Sequence, residues 1–157
     1  MNNLLQTAVN AEEVRRHSNA SIDMKLEAIV IPVSDVDRAK EFYTRLGWRL
    51  DADHAGGNGF RLIQFTPPGS GSSIQFGVNL TPAGPGSSQG LLLAVSDIEG
   101  ARQQLAARGI EASEVFHCAT GTGCRFPGID TRVNGPHPVY LSYGVLFFVQ
   151  RDRKSVV

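Results

Sequence analysis

Val33 to Trp48 reads VSDVDRAKEFYTRLGW, and a related stretch, VSDIEGARQQLAARGI, returns at Val95 to Ile110. Ser34 aligns with Ser96, Asp35 with Asp97, Ala39 with Ala101, Lys40 with Arg102 and Gly47 with Gly109, each 62 residues apart with no gap. A chain that holds this register is built from two copies of one unit. Apolar residues recur every three or four positions, Val36, Ala39, Phe42, Tyr43 and Leu46 in the first copy and Ile98, Ala101, Leu105 and Ile110 in the second. Each copy is therefore predicted to be an amphipathic helix with one buried stripe. Ser34 with Asp37, and Ser96 with Glu99, predict capping boxes that set a carboxylate at the positive end of the helix dipole. Gly47 and Gly109 predict left-handed helix stops.

A short apolar run precedes each helix, at Glu27 to Val33 and Gly90 to Val95, and strand-like segments follow. In the first copy these are Trp48 to Asp53, Phe60 to Phe65 and Ile74 to Val78, separated by the turn-rich HAGGNG and TPPGSGSS. In the second they are Ile110 to Phe116 and Val139 to Gln150, around a Gly/Pro-rich loop from His117 to Pro138. The unit is β-α-β-β-β. The expected organisation is an N-terminal extension at 1–23, with a short helix near Ala11 to His17, and one domain at 24–150. That domain comprises module one at 25–78, a Gly/Pro/Ser-rich linker at 79–89 and module two at 90–150, and a tail follows at 151–157.

Fifteen basic residues balance fifteen acidic ones, so no net field steers the chain towards nucleic acid or an anionic membrane. No apolar run approaches the roughly 18 residues of a membrane span. The opening residues lack the apolar core and cleavage site of a secretion signal. A cytoplasmic protein with small-molecule or protein partners is expected. Cys118 and Cys124, six apart, form no C-x-x-C pair and are expected as reduced thiols. His117, Cys118, Cys124 and His137 are metal-ligand types within 21 residues of chain, but their spacing matches no zinc pattern. His54 reads as a solvated loop histidine. No nucleophile elbow, phosphate loop or dinucleotide fingerprint is present.

Two tandem β-α-β-β-β units, the first opening KLEAIVIPVSDVDRAKEFYTRLGW, resemble the vicinal oxygen chelate superfamily of glyoxalase I, bleomycin-resistance proteins and extradiol dioxygenases. The resemblance covers Lys25 to Gln150. It implies an α+β fold in which each module curls its sheet into half of an open barrel, with the site on the concave inside. It also implies, for metal-using members, a His, Gln or Glu on the first strand of each module and a Glu on the last. Counting back seven residues from Asp35 and Asp97, as the family pattern does, gives Ala28 and Gly90, which offer no ligating side chain. Gln75 stands where module one's carboxylate is expected, a neutral donor weak for a hard cation. The last strand of module two is absent from the pattern, since the chain after SYGVLFFVQ reads RDRKSVV. No metal and no other cofactor is expected; a divalent metal is the alternative.

Strand alternation then sorts the first sheet. Ile63, Phe65, Ile74 and Phe76 share the face packed on the helices, which leaves Phe60, Leu62, Gln64 and Gln75 on the concave side. Apolar walls with two amides describe a ligand pocket. Trp48 at its rim and Tyr140 and Tyr143 from module two complete the predicted ligand-binding set. The expected function is metal-independent binding of a small apolar or drug-like molecule, without catalysis. The alternatives are a metal-dependent lyase, transferase or dioxygenase of the same superfamily, and an interaction protein with a vestigial pocket. An unpaired edge at Val139 to Gln150 and the habits of the superfamily imply a homodimer.

Overall fold

The structure, a computed structural model, describes residues 23–119, 132–138 and 144–146. The first half folds as β1 (Ala28–Val30), α1 (Val36–Arg45), β2 (Arg49–Ala55), β3 (Arg61–Thr66) and β4 (Ser73–Val78). The four strands make one mixed sheet in the order β1-β4-β3-β2. β1 runs parallel to β4, while β3 is antiparallel to both β4 and β2. The crossover through α1 makes the first pairing parallel, because a helix returns the chain to the end from which it started. The tight connections between β2, β3 and β4 make the others antiparallel. Asn58 (φ 58°) and Gly59 (φ 72°) supply the left-handed residues for the first of these.

The predicted alternation holds along β3 and β4. Ile63, Phe65 and Phe76 are fully buried and Ile74 nearly so, all on the α1 side. Tyr43 of α1 lies at the centre of this layer, its ring 5.0 Å from Trp48, 5.8 Å from Phe65 and 5.4 Å from Phe76. Each such buried aromatic stabilises the fold by roughly 1.5–3 kcal/mol through removal of apolar surface from water. Leu105 and Ile110 from the second half join the same core, with Leu91, Leu93 and Ala112 packed against it. The two halves therefore share one interior.

The helix ends repeat in detail. The N-caps are Asp35 and Asp97, whose carboxylates accept from the backbone N–H of Arg38 and Gly100 at 3.0 and 2.9 Å. This corrects the predicted Ser34 and Ser96 caps by one residue. An aspartate in extended conformation reaches the N3 amide and also brings its charge to the dipole, so it displaces the neighbouring hydroxyl. Gly47 (φ +74°) and Gly109 (φ +70°) are the left-handed stops, as predicted. At both ends the bonds are those of a Schellman motif. Gly47 and Trp48 N–H donate to Thr44 and Tyr43 carbonyls, while Gly109 and Ile110 donate to Ala106 and Leu105.

The second half comprises β5 (Leu93–Val95), α2 (Ile98–Ala107), β6 (Phe116–Cys118), β7 (Arg132–Asn134) and β8 (Gly144–Leu146). Its pairing differs from the first. β5 pairs antiparallel with β8, and β6 antiparallel with β7. The predicted strand at Ile110 to Phe116 forms only at its end, because Glu111, Ser113 and Glu114 break its apolar run and lie exposed. Part of the expected 117–138 loop is instead the β7 arm of a two-stranded ribbon. The segment expected to be an unpaired edge, Val139 to Gln150, contributes β8 beside β5. Cys118 is disulfide-bonded rather than a reduced thiol. Residues 1–22 of the N-terminal extension, with the helix predicted there, the tail, Cys124, Tyr140 and Tyr143 lie outside the described residues.

Candidate functional site

The sheet face turned away from α1 carries the side chains at alternate positions to the core set: Ala52 and His54 on β2, Leu62, Gln64 and Thr66 on β3, Ser73 and Gln75 on β4. β3 and β4 are in a register that sets Gln64 directly opposite Gln75, two pairs on from Leu62 opposite Gly77 and so on the same face. Parallel pairing brings Val30 of β1 to Gln75 and Ala28 to Ser73. The face is thus a strip of amides and hydroxyls bordered by Leu62, Val30 and Ala52. Leu62, Gln64 and Gln75 are half-buried and Val30 is 37% exposed, so a ligand can reach them without unfolding anything.

The polar groups are joined. Gln75 Nε2 donates to Gln64 Oε1 at 2.8 Å, and Gln64 Nε2 donates to Ser73 Oγ at 3.2 Å. Ser73 and Thr66 hydroxyls lie 2.7 Å apart, and Thr66 donates to Asp51. Asp51 reaches this side because the β2–β3 register shifts between Leu50 and Ala52, a bulge that leaves Asp51 as the extra residue. Its other oxygen accepts from Arg49 Nε at 2.6 Å. The Thr66 hydroxyl first, and then Arg49, hold the Asp51 carboxyl below the usual carboxylate range, so it is ionised and accepts only.

A second polar cluster lies where β2 and β3 meet the start of α1 and has a structural task. Arg61 donates to Asp53 through Nε at 2.9 Å and Nη2 at 3.0 Å, and to Asp37 through Nη1 at 2.7 Å. Lys40 also donates to Asp53, at 2.8 Å. The bidentate Arg61 contact, followed by Lys40, pushes the Asp53 carboxyl well below its ordinary range. These bonds pin the first turns of α1 to the sheet.

Of the predicted ligand-binding residues, the structure brings Leu62, Gln64 and Gln75 together. Phe60 closes the Gly57–Gly59 turn just ahead of β3, half-buried, with its backbone bonded to Gly56 and Gly57. Trp48 is not on a rim: it is 8% exposed and packs at a tilt against Tyr43 in the core. The Schellman turn explains this, since the residue after the left-handed glycine folds back against the last helical turn. Tyr140 and Tyr143 lie outside the described residues. Ser73 and Thr66 were not singled out from sequence, although the same alternation that placed the glutamines assigns them to this face. Asp51 had no such signal, because a bulge cannot be read from alternation.

His117 Nδ1 lies 2.9 Å from the Gly135 carbonyl and its ring packs edge-on to His137 at 5.3 Å. Cys118, beside His117, is disulfide-bonded. Among the described residues, no group of three or more His, Cys, Asp or Glu is placed to hold a metal ion. No helix among them is long and apolar enough to cross a membrane.

Two solved structures from Streptomyces sp. CB03234 are similar to this chain. TnmS3, described as an antibiotic binding protein, is 34% identical over 59% of this chain and 77% of its own, with a TM-score of 0.51. A glyoxalase/bleomycin resistance protein is 35% identical over 57% of this chain and 78% of its own, with a TM-score of 0.49. No curated protein matches the chain. The Glyoxalase/Bleomycin resistance protein/Dioxygenase superfamily model matches residues 25–125, the span that holds the mixed sheet, both capped helices and the amide-bearing face. The chain belongs to that superfamily.

Proposed function

We propose that the chain binds a small, largely apolar, drug-like molecule on the sheet face bearing Leu62, Gln64 and Gln75, without a metal ion and without catalysing a reaction on it. The observation that carries this reading is the Gln64–Gln75 pair, in which Gln75 donates to Gln64, set among Leu62, Val30 and Ala52 on a face the core does not use. A few oriented polar groups within an apolar surround are what a small-molecule site requires. The similarity to TnmS3, an antibiotic binding protein, supports the ligand class. Metal independence is supported by Ala28 and Gly90, which stand where metal-using relatives are expected to carry ligands and have no donor to offer.

A homodimer completes the proposal. β1 and β2 are the outer strands of the sheet, and a second copy is the natural cover for such an edge.

The test is a panel of antibiotics screened by thermal shift and followed by titration calorimetry, on protein stripped of metal with a chelator. A saturable ligand is expected, with binding lost in Leu62→Glu, whose carboxylate desolvates poorly on that face. Binding that appears only after a divalent ion is restored would overturn metal independence. Unchanged binding by Leu62→Glu would remove the site from this face.

A further inference from the structure

The hydrogen bonds on the amide-bearing face have a direction, set from one end. Asp51, ionised and held by Arg49, has no proton to give. Thr66 must therefore donate to it, as its geometry shows. A hydroxyl has one proton, so the 2.7 Å contact between Thr66 and Ser73 is Ser73 donating. Ser73 Oγ is then an acceptor, which fixes Gln64 with Nε2 towards Ser73 and Oε1 towards Gln75. That in turn requires Gln75 to present Nε2 to Gln64. The amide orientations, ambiguous by shape alone, follow from one carboxylate at the far end of the chain. Gln75 Oε1 accepts no hydrogen bond among the described residues, on a half-buried side chain.

We infer that the relay Asp51–Thr66–Ser73–Gln64–Gln75 presents Gln75 Oε1 as a fixed acceptor, so that the molecule recognised on this face carries an O–H or N–H donor beside its apolar body. This rests on the small-molecule reading above and narrows it to donor-bearing ligands. Gln75 is the contact residue; Gln64, Ser73, Thr66 and Asp51 are positioning residues that act through it. The selectivity arises because a rigid acceptor facing an acceptor-only ligand leaves both desolvated and unpaired.

Two readouts test it on the full chain. In proton NOE spectra without any ligand, the Gln64 side-chain amide protons are expected close to Ser73 Hβ. Proximity to Gln75 Hγ instead would mean the opposite polarity and overturn the assignment, whatever binds. The second readout compares phenol with anisole, which differ in the donor hydrogen. Phenol is expected to bind about tenfold more tightly, the worth of one net hydrogen bond. Gln75→Met should abolish the preference while anisole still binds. Thr66→Val should reduce it, and Thr66→Ser should restore it, which a merely structural role for Thr66 would not produce. Equal binding of the two fragments would sink the acceptor assignment and leave the small-molecule site standing. Binding of neither would overturn both.

Discussion

The Arg108 guanidinium donates to the carbonyl of Leu46, the residue 62 positions before it and its counterpart in the repeat. Both are C-cap residues, Arg108 of α2 and Leu46 of α1. The Schellman bonds satisfy the Tyr43 and Thr44 carbonyls of α1, and Arg108 satisfies that of the C-cap, Leu46, with a cation at the negative end of the dipole. The second helix thus closes the first.

Gly47 and Gly109 share a left-handed backbone but not surroundings. A Cβ at Gly47 would overlap the Arg108 guanidinium, whereas at Gly109 nothing lies within 4 Å. Gly109→Ala is expected to cost about 1–2 kcal/mol, the left-handed penalty alone. Gly47→Ala should cost more, and the excess should vanish in an Arg108→Ala background. Urea unfolding of the four variants measures this; an equal cost at both glycines would show that the Arg108 contact adds nothing to stability there.

Asp35→Ala and Asp97→Ala should each destabilise by about 1 kcal/mol, the loss of an N-cap, and Asp35→Asn should recover most of it. Thermal melts in low salt suffice. A larger loss from Ser34→Ala than from Asp35→Ala would return the cap to the serine.

Acid should weaken the fold through Asp51 and Asp53. Both carboxyls are held below their ordinary range, Asp51 first by Thr66 and Asp53 first by Arg61. A depressed carboxyl contributes its full stabilisation above the unfolded value of about 3.9 and loses it as pH falls through the folded one. Melting temperature is therefore expected to fall below about pH 4, less steeply in Asp53→Asn. Because the charges are near the surface, high salt should flatten the same slope. At the alkaline end burial raises the Tyr43 hydroxyl, so stability should decline above about pH 10. Tyr43→Phe should lack that decline.

Gly77 is required by close approach, since a Cβ there would overlap the Arg61 carbonyl across β3. Gly77→Ala should force the two strands apart beside Leu62, costing about 1–3 kcal/mol and weakening phenol binding more than Gly109→Ala does. Equal effects on binding would detach this end of the strand pair from the site.

Much of this was legible in residues 25–78. Period and punctuation located α1, Gly47 and the alternating strands, because burial on one face of a helix or sheet writes itself into the spacing of apolar residues. The repeat likewise located α2 and its stop. Local chemistry determined that much, along with the division of β3 and β4 into a core face and an amide face. Only the tertiary structure decided the rest: that Trp48 belongs to the core, that a bulge turns Asp51 onto Thr66, that β8 pairs with β5 in the opposite sense to β4 with β1, and that Arg108 caps Leu46. Each depends on register or on a contact between distant segments, and neither is encoded by the period of a single element.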